Sequence, residues 1–260
     1  VVEVGVPYQL NFGRANYMLF SKDVAETGYI SRFIDESFKN LGVRRSTKLM
    51  VVLGDSLDYC TGVVSKDNPN TSKRQYSILR DYVSEGLTPI TNIAMFTQNV
   101  NAKRGDNIVT LGATDDSIPN EEITGSSQDS ELNPNSTTAG VERTGGLRAY
   151  YMGCAVFDGG TMKGVLSGRD TEIILMAKGM FRAGRLTLHH EGGEGHMVLL
   201  LKGGGKPKVE LSIGGDAPYA KMSVRLQCHV ECGEEDMDYN KWNREVKPML
   251  EDYMERELER

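Results

Sequence analysis

The residues with the clearest capacity for chemistry in this 260-residue chain are histidines and cysteines in its C-terminal third. The His189-His190 pair and His196 lie close together in sequence, and residues 228–232 follow with the pattern Cys-His-x-x-Cys. Imidazoles and thiolates are ligands that zinc prefers, and a structural zinc site needs about four of them around one ion. A zinc site is therefore the first hypothesis that these residues raise.

The pattern of residues 219–232 argues against that hypothesis. Apolar and polar residues alternate along the whole segment, which predicts one β-strand with one face in the core and the other in water. On such a strand Cys228 and Cys232 share the apolar face about 13 Å apart, too far for a disulfide, and His229 faces the opposite way. We therefore predict that both cysteines are buried, reduced and metal-free, and we assign no catalytic, cofactor-binding or metal-ligating residue from the sequence.

Three further motifs have a simpler structural interpretation. Residues 191–196, Glu-Gly-Gly-Glu-Gly-His, are predicted as a hairpin turn with charged tips. Residues 203–206 resemble part of a phosphate-binding loop, but no Ser or Thr follows the lysine, and Pro207 stands where a helix would start. Ser167 resembles part of a nucleophile elbow without its first glycine, and a helix N-cap role explains the serine.

Composition excludes several classes of protein. A net charge of −6 disfavours a nucleic-acid partner. The sequence contains no run of eighteen apolar residues that would span a membrane, and four cysteines in a chain of this length do not suggest a disulfide scaffold. Because the chain begins at Val1 without a basic and apolar leader, we expect a mature or trimmed form.

The elements that must position these residues are organised around residues 153–170. Apolar residues run up to Phe157, residues 158–160 (Asp-Gly-Gly) supply a tight turn, and a second short apolar run follows. Ser167 is a good N-cap, and Asp170 three positions later meets the positive end of the helix dipole. The segment is thus predicted as strand, turn, strand and capped helix, which is a folding unit and not a reactive site.

Upstream of this unit, strands and helices alternate, which is typical of an α/β sheet. The predicted elements are strands within residues 1–20, helices over 21–25 and 29–41, a strand at 47–54, helices at 69–86 and 91–98, and a strand at 108–112.

Downstream, short strands separated by glycines predict an antiparallel meander. Its strands are predicted at residues 185–190, 196–202, 206–213 and 219–232. Residues 237–260 are predicted as a charged helix that Pro248 kinks or restarts, with Trp242, Val246, Met249 and Tyr253 as its apolar stripe.

Residues 115–146 differ in composition from the rest of the chain. They are rich in Ser, Thr, Asn, Gly and acids, so they cannot bury enough surface to offset the entropy of ordering. We predict a flexible polar linker here, between an N-terminal mixed α/β domain at 1–114 and a C-terminal α+β domain at 147–260. The predicted fold class is mixed α/β or α+β, with an antiparallel meander sheet packed with a long helix in the second domain.

Two of these stretches also resemble a known family. The Gly-Cys-Ala-Val-Phe strand at 153–157, its glycine turn, and the Gly-Val-Leu-Ser strand at 164–167 with the following helix resemble the opening of a Ger(x)C C-terminal domain. Ger(x)C proteins are spore-germination lipoproteins, the C subunits of germinant receptors. Residues 13–25, where a Gly-led strand leads into a Ser-capped helix, resemble that family's N-terminal pattern. The resemblance covers most of the chain.

The resemblance implies a non-enzymatic function without cofactors. A C subunit of this family is anchored by lipid to the extracytoplasmic face of the spore inner membrane. It acts with the integral-membrane A and B subunits to trigger germination in response to nutrients. The family's mature start is a lipidated cysteine, whereas the first cysteine here is Cys60, so the anchor is expected upstream of Val1. The family's last helix usually continues past the position of Arg260, so both ends look trimmed.

A second functional class stays open, namely an extracytoplasmic ligand-binding protein or hydrolase with a site between its domains. If the chain is a receptor subunit, its activity lies in contacts with membrane partners. The alternation of residues 219–232 places seven side chains on the outer face. Four of them are the candidate partner contacts, together with the acidic side of the final helix. The four are Tyr219, Lys221, Arg225 and His229.

Overall fold

The structure, a computed structural model, describes residues 12–62, 71–102, 107–114, 149–189, 196–212, 219–232 and 242–259. The predicted linker at 115–146 and the predicted strand residues 1–11 lie outside this part of the chain. The strands are β1 Tyr17–Ser21, β2 Lys48–Val52, β3 Asn107–Thr114, β4 Ala149–Asp158, β5 Thr161–Leu166, β6 Ala183–His189, β7 His196–Gly203, β8 Lys208–Ser212, β9 Tyr219–Ser223 and β10 Leu226–Cys232. The helices are α1 Lys22–Glu26, α2 Tyr29–Asn40, α3 Ser56–Gly62, α4 Thr71–Ser84, α5 Ile93–Ala102, α6 Gly168–Ala177 and α7 Lys247–Glu259, the last preceded by a π-helical turn at Trp242–Val246.

The chain divides into two compact units. The first comprises Val1–Val83 and Leu87–Thr171, and the second comprises Ser84–Gly86 and Glu172–Arg260. Strands and helices are mixed in both units, in agreement with the predicted mixed α+β fold class. The domain limits at 114 and 147 stay a prediction.

The sheet of the first unit has five strands in the order β1-β2-β3-β4-β5. The strands β1, β2 and β3 run parallel, whereas β3 with β4 and β4 with β5 pair antiparallel. Helices connect the parallel strands, as the alternation of elements in the sequence predicts, because parallel neighbours need a long crossover between them. Helix α3 was not predicted; Asp55 begins it, accepting hydrogen bonds from the amides of Leu57 at 2.6 Å and Asp58 at 3.1 Å.

The strand β2 is buried on both of its faces, which explains its unbroken apolar sequence. Val51 belongs to a core cluster that includes residues of α2, α5 and β4, such as Ile34, Phe96 and Phe157. Met50 belongs to a second cluster that includes residues of α3 and α4. Helices therefore cover the sheet on either side of β2.

The strands β4 and β5 complete the sheet of the first unit. The sequence analysis assigned this hairpin to the second domain, whereas the structure pairs β4 with β3 from Asn107↔Phe157 to Thr114↔Ala149. The local structure of the hairpin is as predicted. The Ser167 hydroxyl donates to Asp170 Oδ2 at 2.7 Å and accepts from the Asp170 amide at 3.1 Å, which caps α6.

Gly153 lies at an irregularity in β4, where its backbone has a φ of 58°. The register passes from Thr110↔Cys154 to Gly112↔Tyr151, so Gly153 belongs to a bulge. A Cβ atom at this position would overlap the carbonyl oxygen of Leu166. Glycine is therefore required both by the sign of φ and by the close approach of β5.

All strand pairs in the second unit are antiparallel, as predicted, but their order is not that of a simple meander. One sheet has the order β10-β7-β6, and β8 and β9 form a separate two-stranded ribbon. The predicted single strand at 219–232 is wrong, because the chain leaves the extended pairing at Val224 and Arg225 and its two halves join different sheets. Residue alternation continues through this break, so the pattern alone cannot reveal it.

The C-terminal helix starts again at Lys247, as the position of Pro248 predicts, since proline is tolerated in a first helical turn. The predicted apolar stripe is wrong at one position: Leu250 is buried with Val246, whereas Met249 is 36% exposed. The π-helical turn has more residues per turn than an α-helix. An α-helical periodicity counted through this turn therefore assigns the wrong residue of the following helix to the buried face.

We expect Gly153→Ala to destabilise the chain by more than about 2 kcal/mol, because alanine at positive φ is strained and its Cβ meets main chain that cannot rotate away. The matched control is Gly164→Ala in β5, where the space around a new Cβ is open. The free energy of unfolding of Gly164→Ala should stay within about 1 kcal/mol of the parent value. Chemical denaturation of the two variants measures both quantities, and equal losses would contradict the described bulge.

Candidate partner-contact surface

The four predicted contact residues occupy two different places in the second unit. Tyr219 and Lys221 lie on β9 and pair with Ser212 and Glu210 of β8. His229 lies on β10, and Arg225 lies in the break just before that strand. The structure therefore does not bring the four residues together on one strand face, although Lys221, Arg225 and His229 are all exposed.

His229 belongs to the outer face of the β10-β7-β6 sheet. It is paired with Leu200, which is paired in turn with Arg185 of β6, so the three residues form one row across the sheet. Residues directly opposite in antiparallel strands share a face. This row, with its exposed His229 and Arg185, leaves the outer face polar and open to solvent.

Arg185 is the charged centre of that outer face. Its Nε donates to Glu231 Oε2 at 2.7 Å, its Nη2 donates to Glu231 Oε1 at 3.4 Å, and its Nη1 donates to Glu85 Oε1. The hydrogen bonds to Glu231 and then to Glu85 raise the pKa of the Arg185 guanidinium further above its usual range. Such exposed pairs add little stability, so the cluster mainly fixes side-chain orientation on the surface.

The inner face of the same sheet carries Leu199 and Leu201, which are 0% and 2% exposed. Cys228 pairs with Leu201 and is only half-buried, with a free thiol whose pKa is raised by burial. The predicted full burial of Cys228 is therefore wrong. A bulge after Val230 pairs Cys232 with Val198, so the two cysteines are out of phase and the predicted common face is lost.

The zinc hypothesis finds no support in the described residues, where no three His, Cys, Asp or Glu side chains come close enough to hold an ion. His189 and His196 are paired in register at the ends of β6 and β7. His190 and residues 191–195 lie outside the described part of the chain, so the predicted hairpin turn there stays a prediction.

The β8–β9 ribbon exposes a set of apolar side chains that the sequence pattern did not predict as a contact surface. Val209 is 52% exposed, Leu211 is 71% exposed, and Met222, which pairs with Val209, is 45% exposed. The sequence assigned Met222 to a core face, because alternation shows that a strand has an apolar side without showing what covers it. The β8 sequence, Lys-Val-Glu-Leu-Ser, also alternates polar and apolar residues, so it likewise shows an apolar side without showing what covers it. We call Val209, Leu211 and Met222 the ribbon face.

Shifted pKa values in the first unit have a structural cause. Burial, followed by the effect of Tyr76, raises the pKa of Tyr17 to about 12, and burial raises those of Tyr59 and Tyr151 still further. The Tyr151 hydroxyl donates to the Gln75 carbonyl at 3.1 Å inside the core. Tyr59 and Tyr151 belong to one core cluster, and Tyr17 packs against it.

None of the helices in the described residues combines the length and apolar character needed to cross a bilayer.

Two family models match the chain in succession. The model described as "Spore germination protein N-terminal domain" matches residues 2–112, and the model described as "Spore germination B3/ GerAC like, C-terminal" matches residues 152–260. The crystal structure of the GerBC protein is similar to 99% of this chain, with a TM-score of 0.63 and 13% identity. This chain covers 65% of the length of that chain, and at this identity the likeness shows a shared fold. Comparison with curated proteins gives no match.

We expect Leu199→Ala to lower the free energy of unfolding by about 2–5 kcal/mol, because it removes a fully buried leucine. Leu211→Ala should change that free energy by no more than about 0.5 kcal/mol, because the side chain is mostly in water. Denaturant titration of both variants measures the contrast. A large loss from Leu211→Ala would mean that the ribbon face is part of the core.

Proposed function

The chain belongs to the Ger(x)C family of spore-germination proteins, the C subunits of germinant receptors, and from this premise we propose that it is a non-enzymatic receptor subunit. In this proposal it acts with the integral-membrane A and B subunits and helps trigger germination in response to nutrients. It resides at the spore inner membrane, on the extracytoplasmic face, through an N-terminal lipid anchor whose cysteine is not part of the 260 residues.

The observation that carries the proposal is the match of both family models, in the family's order, to 2–112 and 152–260. Two features of the described residues support a binding role. The shifted side-chain pKa values among the described residues of the first unit belong to tyrosines and to the Cys60 thiol, and burial is the main cause of each. The second unit exposes both a polar sheet face and apolar side chains, and exposed apolar side chains are typical of the core of a protein interface.

We propose the ribbon face as the principal contact with a membrane partner. Lys221 and Tyr219 occupy the alternate positions of the same ribbon, and Arg225 and His229, just before and on β10, form a second candidate contact. Exposed leucine and methionine side chains gain free energy when a partner removes them from water, at about 25 cal/mol per Å² of apolar surface. Lys221 pairs across the ribbon with Glu210 at the positions that alternate with the ribbon face, so this charged pair belongs to the opposite side of the ribbon.

Deleting the protein from spores should abolish the response to one set of germinants while dormancy and other germinant responses remain intact. This outcome follows because a receptor subunit is required only for the signals of its own receptor. Germination assays with single nutrients measure it. Unchanged germination to every nutrient, with no related subunit replacing the protein, would favour the ligand-binding or hydrolase alternative.

The contact surface is tested by Leu211→Ser in the ribbon face, with Leu57→Ser in α3 as the matched control. The two leucines are 71% and 69% exposed, so neither change should unfold the chain. We expect Leu211→Ser to weaken germination through this receptor at normal protein levels, and Leu57→Ser to leave it unchanged. Arg225→Ala with His229→Ala tests the second candidate contact in the same assay. Equal germination in all variants would remove this surface from the proposal.

A further inference from the structure

Two turns of the first unit lie side by side just before the parallel strands β1 and β2. In one turn the Ala15 amide donates to the Phe12 carbonyl at 2.9 Å, and in the other the Thr47 amide donates to the Arg44 carbonyl at 3.0 Å. The Thr47 hydroxyl donates to the Ala15 carbonyl at 2.9 Å, which ties the turns together. Their relative position is thus fixed by the sheet and by a buried side chain, since Thr47 is 1% exposed.

The two turns enclose a cavity of about 150 Å³ whose side chains are strongly basic. Arg14 comes from the first turn, Arg44 and Ser46 come from the second, and Lys48 begins β2. None of the described residues lining the cavity carries a carboxylate. Three basic residues therefore line one small cavity in a chain whose net charge is −6.

Within the part of the chain that the structure describes, the cations at this cavity have no carboxylate partner to neutralise them. No carboxylate of the described residues forms an ion pair with Arg14, Arg44 or Lys48. The Lys48 ammonium is instead placed over the rings of Tyr17 at 5.4 Å and Tyr76 at 4.9 Å. Aromatic faces hold a cation in position without accepting its hydrogen bonds as an oxygen would, so the ammonium keeps donors for another group.

We propose that this cavity binds a phosphate group. Guanidinium groups match the oxygen atoms of phosphate through paired N–H donors. Arg14 and Arg44 supply two such groups, Ser46 adds a hydroxyl, and no described residue that lines the cavity carries a carboxylate. The cavity opens to solvent, and its volume of about 150 Å³ leaves room for a phosphate group. Arg14, Arg44 and Ser46 are exposed, so the group enters from solvent.

Phosphate groups can reach this cavity from two sources, namely free inorganic phosphate and the headgroup of an anionic phospholipid. The two share the same chemistry at the cavity, and the experiment separates them. The site lies in the first unit and uses no residue of the ribbon face, so its failure would leave the proposed receptor role untouched, and the reverse also holds.

The test is a titration of the 260-residue chain, followed by two-dimensional amide NMR, first with inorganic phosphate and then with phosphatidylglycerol vesicles. Phosphatidylcholine vesicles are the neutral comparison. Binding should shift the amides of residues 13–16 and 44–48 selectively and should weaken as salt rises, because exposed charges are screened. Arg14→Gln with Arg44→Gln should lower the affinity at least tenfold, since charge-assisted hydrogen bonds are lost.

The matched control is Arg32→Gln with Lys39→Gln on α2, which removes the same charge from exposed positions in the same unit. Retained binding in this control and loss in the Arg14 and Arg44 variant support the site. Shifts with inorganic phosphate identify the free ion as sufficient, and shifts with anionic vesicles alone identify the headgroup. Equal weakening in both variants overturns the proposal. The absence of a selective shift with either probe in the parent chain also overturns it, and that outcome does not depend on how any variant folds.

Discussion

The antiparallel pairing of β3 with β4 is the interaction on which the first unit depends. It brings residues 107–114 against residues 149–157, and the strand β4 then supplies both cores. Phe157 enters one cluster, where its ring meets that of Phe96 edge-on at 5.3 Å, and Tyr151 enters the other. Because β4 contributes to both clusters, each core of the first unit depends on this pairing.

Gly153 of β4 contacts other segments of the first unit at the position where β4 pairs with β3. Its carbonyl accepts a hydrogen bond at 2.8 Å from the hydroxyl of Thr88, which is fully buried, and β5 passes where a side chain would stand. The same glycine begins the motif that carried the family resemblance. The glycine of this short motif therefore has a structural reason, because the backbone geometry of the sheet requires it.

Sequence reasoning succeeds in this protein where a local pattern has a local cause. The cap formed by Ser167 and Asp170 and the buried strand β2 are of this kind, and the Ger(x)C resemblance was confirmed by two family models. Sequence reasoning fails where the structure depends on which strands pair with each other. Alternation runs unbroken through residues 219–232, yet which strand each half pairs with depends on distant residues, and the bulge after Val230 inserts one residue that no periodicity reveals. The exposure of Leu211 and the convergence of Arg14 with Arg44 are likewise products of tertiary arrangement.

The β8–β9 ribbon has a thermodynamic consequence of its own. Among the described strands, β8 and β9 pair only with each other, and an isolated pair of strands is marginally stable in water. The ribbon should therefore open far more often than the β10-β7-β6 sheet, whose central strand is bonded on both sides. Binding of a partner to the ribbon then includes the entropic cost of ordering its two strands, and this cost lowers the observed affinity. A contact built this way is selective yet readily reversible, and its strength can be tuned by residues that steady the ribbon without touching the partner.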